Sequence, residues 1–300
     1  MPGFFLATLK EPMNPKGPWL PRLVVAPSFI VSLLFIYGLM AWNGYLSLSA
    51  SRILPNYNFV GLQQYLALLE SDRFRVAMTN MGLFGALFIG GAMVLGIFLA
   101  ILLDQKVRAE GVLRTIYLYP MAVSMIVTGT AWKWILNPGL GLEHLMHQWG
   151  FEHFSFDWLV QQDTAIYCVV IAGVWQSAGF VMALFLAGLR GIDESIIKAA
   201  QVDGASLPRI YASIILPSLR PVFFSTLMVV SHLAIKSFDL VMALTAGGPG
   251  YATDLPATFM YATAFTRGQI GLGAASATIM LATVAAIVVP YLYSELRSKR

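Results

Sequence analysis

Lys198-Ala-Ala-Gln-Val-Asp-Gly-Ala-Ser-Leu-Pro-Arg-Ile-Tyr-Ala-Ser-Ile-Ile-Leu-Pro217 is a moderately polar stretch caught between two long apolar runs. Glu194 to Val202 reads as a short helix, and Gly204 is suited to a left-handed cap at its C-terminal end. Ser206 is placed to cap the free N–H groups of a second helix, with Pro208 in its first turn. Pro217 should end or kink that helix, since it has no N–H to donate. The prediction is a helix–turn–helix elbow over residues 194–217 beside a membrane. Small residues Ala199, Ala200, Gly204 and Ala205 at its bend would let another protein approach the backbone closely. An elbow of this kind is a docking device.

The membrane setting follows from composition. Of 300 residues, 58% are apolar and 11% charged, and mean hydropathy is +0.71. Soluble domains carry roughly 25% charged residues, so the chain reads as an all-α integral membrane protein. Six apolar runs approach the ~20 residues a helix needs to cross the hydrocarbon core: Leu23–Trp42, Met81–Leu103, Ile116–Trp134, Ala165–Leu189, Val222–Leu244 and Gly271–Tyr293. The first exceeds a signal-peptide core of roughly 7–15 residues, which makes it an uncleaved span. The domain reading is a polar leader over 1–22, one six-helix membrane domain over 23–293 and a tail over 294–300. Cys168 stands alone and forms no disulfide within the chain.

Charge placement sets the orientation. Lys10, Lys16, Arg22, Lys106, Arg108, Arg114, Arg190, Lys198, Arg209, Arg220, Arg297, Lys299 and Arg300, 13 of the 19 basic residues, fall on one side. That side, with both termini and the elbow, is expected to be cytoplasmic. The net charge of +4 thus reflects topology and gives no reason to expect a nucleic-acid partner. Arg52, Arg73, Arg75 and Arg267 lie in the opposite loops.

Those outer loops have texture. Residues 59–69 repeat their apolar side chains at near-helical spacing, predicting an amphipathic helix on the outer membrane face. Trp149, Phe151, Phe154, Phe156 and Trp158 form an interfacial aromatic cluster. Glu143, His144, His147 and His153 share that loop, but no fixed further ligand set accompanies them, so neither metal nor cofactor is expected. Gly247, Gly248 and Pro249, with Gly250, force a tight outer turn after the fifth span.

The elbow resembles the signature of permease subunits of bacterial ATP-binding-cassette importers: E-A-A, three residues, G, nine residues, I-x-L-P. Ala199, Ala200, Gly204, Ile214, Leu216 and Pro217 match it, with Asp203 and Ala205 beside the glycine; Lys198 departs by replacing the glutamate. The Gly-Gly-Pro turn and Asn58-Phe-Val-Gly-Leu-Gln-Gln-Tyr65 extend the likeness over most of residues 22–300. It is closest in kind to carbohydrate permeases of the maltose and glycerol-phosphate type, including those for glucose or mannose. The resemblance implies a six-span type I importer permease, a second permease subunit making a heterodimer, a cytoplasmic ATP-binding subunit dimer docking on the elbow, and an extracytoplasmic sugar-binding protein.

No Gly-Lys pair occurs, so a phosphate-binding G-x-x-x-x-G-K-[ST] loop is absent and the chain is not itself an ATPase. Polar groups inside spans mark candidate contacts for the sugar. Trp175 and Gln176 interrupt the fourth span. His232, Lys236 and Asp239 interrupt the fifth at i, i+4 and i+7, which predicts one helical face. Lys236 and Asp239 are also spaced to neutralise each other, and such groups often only join helices. An ion-coupled secondary transporter is the alternative, but no internal repeat is visible. A membrane enzyme would need a convergent catalytic set such as H-E-x-x-H, and none appears.

Overall fold

The computed structural model describes residues 19–54, 56–105 and 107–298. Among them every regular element is a helix, and the only β pairing is an isolated bridge between Ser49 and Phe59. Two units are distinguished, one ending at Tyr45 and the other running from Leu46. The first is a helix that begins at Trp19 and widens into a π turn over Leu33–Gly38. Its apolar side chains are exposed, as suits a surface facing lipid.

Among the described residues four helices are long and apolar enough to cross a membrane: α1 (Arg22–Ser47), α3 (Asp72–Asp104), α7 (Ala165–Leu189) and α13, which runs from Ile270 to Ser298. Between them lie α2 (Gln63–Glu70), α4 (Glu110–Ala122), α5 (Met125–Ile135) and α6 (Leu142–Gln148). After α7 come α8 (Glu194–Val202), α9 (Leu207–Ser218), α10 (Arg220–Ile235), α11 (Asp239–Leu244) and α12 (Pro256–Tyr261). Two bent pairs, α4 with α5 and α9 with α10, raise the number of spans to six if each pair counts as one.

Two of the predicted spans are broken. Ile116–Trp134 divides between α4 and α5 with a bend of 101°. Pro120 leaves the Ile116 carbonyl without its helical donor, the chain turns extended at Val123, and Ser124 restarts the helix by accepting from the Val127 N–H. Val222–Leu244 divides at residues 236–238 between α10 and α11. The second span was predicted from Met81 but begins at Asp72, where Ser71 accepts from the Phe74 N–H.

Packing in the second unit centres on α7, which lies along α3. Hydrocarbon offers little drive for apolar helices to associate, so close approach through small residues matters. A Cβ at Gly91 would lie 2.8 Å from Val174, and one at Gly96 would lie 2.5 Å from Val181. Phe84, Phe88, Val169, Met182 and Phe185 fill the space around this seam. On α5, Gly129 admits α11 so closely that a Cβ there would meet Ala243 at 2.7 Å. A smaller cluster joins Leu68 of α2 to Phe74, Ala77, Phe259 and Ala275. The amphipathic helix predicted over 59–69 therefore starts only at Gln63, after Gly61 turns the chain with φ +59°, and buries Leu68 in protein.

Candidate functional site: elbow, broken spans and outer turn

The elbow begins at Asp193, whose carboxylate accepts from the Ser195 N–H at 2.8 Å. That bond holds its carboxyl below the usual range. α8 ends in a Schellman arrangement: Ala205 N–H reaches the Ala200 carbonyl and Gly204 N–H the Gln201 carbonyl, both at 3.0 Å. Gly204 has φ +79°, the conformation its position predicts. Ser206 has the extended backbone of a cap, but its side chain makes no capping bond; the expected hydroxyl cap is not formed. Pro208 sits in the first turn of α9.

α9 widens to π geometry over Tyr211–Ile215 immediately before Pro217. A proline there lacks an N–H and crowds the carbonyl four residues back, at Ser213; π turns commonly absorb such misfits. The helix stops after Ser218, and α10 departs at 68°. Ala200, Ile210, Ile215 and Leu219 turn inward and are buried. Lys198, Ala199, Asp203, Gly204, Leu216 and Pro217 are exposed, with Ala205 and Ile214 half-buried. Lys198 pairs with Glu194 one turn back at 3.0 Å; both are exposed, so the pair contributes well under ~1 kcal/mol.

Polar contacts from Tyr211, and from Arg190 just before the elbow, hold this end of the molecule together. Tyr211 O–H donates to Asp104 at 2.5 Å and accepts from Gln105 at 2.7 Å. Burial, then the Asp104 carboxylate, push its phenol up to about 12. Arg190 pairs with Glu110 at 2.5 Å. A cleft of about 500 Å³ opens here, lined by Asp104, Glu110, Arg190, Lys198, Gln201 and Tyr211 among others.

The pathway candidates lie around the breaks. His232, Lys236 and Asp239 do not share a helical face, because α10 ends at Ile235 and α11 begins at Asp239. Lys236 sits at a helix C-terminus and Asp239 at an N-terminus, each complementing the helix dipole. The expected Lys236–Asp239 pair is not among the ion pairs of the described residues. All three side chains are exposed. Trp175 is 43% exposed and meets Trp132 of α5 edge-on at 5.8 Å. Gln176 is buried and donates to the Val123 carbonyl at 2.8 Å, holding the α4–α5 break.

At the opposite end from the elbow, α11 stops at Leu244 and the chain turns through Ala246 (φ 53°) and Gly247 (φ 87°). Thr253 bonds to Thr245 at 2.7 Å and to the Gly248 carbonyl at 2.9 Å, closing the turn on itself. Sequence reasoning missed what anchors it. Asp254 is fully buried, pairs with Arg73 at 2.6 Å and accepts from Thr258 at 2.5 Å. Asn80 donates to the Tyr251 and Asp254 carbonyls, and Arg73 lies 4.5 Å from the Tyr251 ring centre. Arg73 and Asp254 are 181 residues apart, and no local pattern links them.

The histidine-bearing loop has local partners. His147 bonds to the Phe154 carbonyl, His144 to Gln148, and Glu143 accepts from the Phe156 N–H. Among the described residues no three potential metal ligands converge.

Residues 92–298 match the family described as binding-protein-dependent transport system inner membrane component. A probable ABC transporter permease protein of Pyrococcus horikoshii is 39% identical over 282 residues, 93% of this chain and 97% of that one. The xylose/arabinose import permease of Haloferax volcanii is 35% identical, covering 89% of this chain and 85% of its own length. The trehalose/maltose transport system permease of Thermococcus litoralis is 31% identical over 90% and 91%. In fold, a bacterial ABC transporter involved in import of the acidic polysaccharide alginate superposes with a TM-score of 0.81 at 21% identity, over 94% of this chain and 96% of that one. A membrane-spanning helical chain built around such an elbow, and matched over this length, belongs to the family of binding-protein-dependent ABC transporter permeases, whose members are transport subunits and not enzymes.

Proposed function

We propose that this chain is one half of the pore of a sugar importer in the cytoplasmic membrane, with both termini and the elbow on the cytoplasmic side. ATP hydrolysis takes place in a separate subunit pair, one copy of which docks on residues 194–217. A second permease chain completes the pore, and an extracytoplasmic binding protein delivers the sugar to the outer loops. The observation that carries this reading is the exposed elbow surface, where Ile196, Val202 and Leu207 stand open around the Gly204 turn. Apolar side chains exposed on a polar elbow mark an interface, and Val202 is 88% exposed.

The substrate reading rests on the relatives named for pentoses and for trehalose or maltose. A neutral hexose such as glucose or mannose fits the pathway chemistry. Trp175 offers a ring face, while His232, Lys236 and Asp239 supply hydrogen-bonding groups beside the break. Closure of the ATPase pair would move the two elbows together and switch the pore between inward- and outward-facing states.

The test is purification of the tagged chain from its native membrane with its partners, followed by reconstitution and uptake of radiolabelled glucose, mannose, xylose and maltose. ATP-driven uptake of a hexose, delivered by the co-purified binding protein, is the expected result. A lone chain that accumulates sugar under an ion gradient without nucleotide would overturn the importer mechanism. Uptake confined to xylose would overturn the hexose assignment alone.

A further inference from the structure

α3 is fastened by polar side chains at both ends. It runs unbroken for 33 residues, a length of about 50 Å. At its inner end Asp104 accepts the Tyr211 O–H of the elbow, and Gln105 just beyond donates to the same oxygen. At its outer end Arg73 pairs with the buried Asp254, and Asn80 holds the backbone carbonyls of Tyr251 and Asp254. Between the ends, the glycine seam at Gly91 and Gly96 keeps α3 against α7.

The outer turn is itself tied into one body. Thr253 cross-links Thr245 and Gly248, the Thr253 N–H bonds to the Gly247 carbonyl, and Asp254 continues through Thr258 into α12. A displacement of Arg73 therefore moves the whole turn. Breaking a buried ion pair leaves an uncompensated charge, so the outer clamp holds through a rigid-body shift.

We propose that α3 is a rod that carries movement of the elbow to the outer turn, with Tyr211–Asp104 and Arg73–Asp254 as its two clamps. This rests on the reading that a nucleotide-driven partner moves the elbow. Asp104, Tyr211, Arg73 and Asp254 are positioning residues in this scheme; none needs to touch the sugar. Packed, rigid elements carry coupling over such distances, and α3 is a continuous one that reaches both contacts.

Cys168 is buried, so Ala252→Cys adds one partly exposed thiol on the turn. In the purified complex with its ATPase, the rate of Ala252→Cys labelling by a membrane-impermeant maleimide is measured with and without ATP and vanadate. With both clamps intact, nucleotide is expected to change that rate about threefold, within the range of coupling carried by packed networks. Asp104→Ala, Tyr211→Phe and Asp254→Asn should each remove most of the change, while Asp104→Ala still hydrolyses ATP. Combining Asp104→Ala with Asp254→Asn should add little, because both cut one rod. A nucleotide response that survives Asp104→Ala and Tyr211→Phe, or a double variant whose loss is the sum of the singles, overturns the rod. So does a complex that hydrolyses ATP while its turn never responds. If no ATPase accompanies the chain, the importer reading falls, and the rod falls with it.

Discussion

Two glycines show how differently one residue type can act. Gly204 has φ +79° and nothing within 4 Å of an added Cβ, so backbone conformation alone demands glycine there. Gly204→Ala should destabilise the elbow by about 1–2 kcal/mol through left-handed strain, and Gly204→Asn by less. Gly204→Asp is expected to insert at wild-type yield yet lose ATP-driven uptake; wild-type uptake would remove the docking role. Gly179 is the opposite case. A Cβ there would fall on the Tyr117 carbonyl, where α4 crosses α7. Gly179→Ala should lower thermal stability by about 1–3 kcal/mol or more, whereas Gly111→Ala, in open space within α4, should leave it unchanged or raise it by up to about 1 kcal/mol. A melting curve in detergent separates them.

At the scale of elements, the start of α8 responds to acid. The Ser195 N–H holds the Asp193 carboxyl below its usual range, so its stabilising cap is present at neutral pH. The cap is lost as pH falls through that lowered value. Amide exchange at the start of α8, corrected for its intrinsic pH dependence, should therefore show protection falling on acidification. Asp193→Ala should be less protected at neutral pH and show no such fall. The elements also mark where local reading succeeded. The bounds of α8 and the left-handed Gly204 follow from cap chemistry within a few residues. The missing Ser206 cap does not, because whether a hydroxyl turns toward a free N–H depends on competing contacts that sequence spacing does not reveal. The breaks at 123–124 and 236–238 lie inside apolar runs that hydropathy alone reads as continuous. Pro120 hints at the first, while nothing local marks the second, beyond which α11 packs against α5 across Gly129.

For the whole molecule, the family places ATP hydrolysis in a separate subunit. The purified chain alone should hydrolyse no ATP above background, and hydrolysis should appear only with the co-purified ATPase; a phosphate-release assay checks this. The sequence by itself determined the membrane class, the helical build, the elbow and the family. Those properties are written in composition and in local motifs, the longest being the 20 residues Lys198–Pro217, where covalent geometry and backbone hydrogen bonding decide much of the outcome. Tertiary structure alone decided which candidate residues face outward, that His232, Lys236 and Asp239 flank a break instead of sharing a face, and that Asp254 is bound to Arg73. The reason is physical: a buried ion pair between groups 181 residues apart forms only where packing has already excluded water, and packing is set by every helix at once.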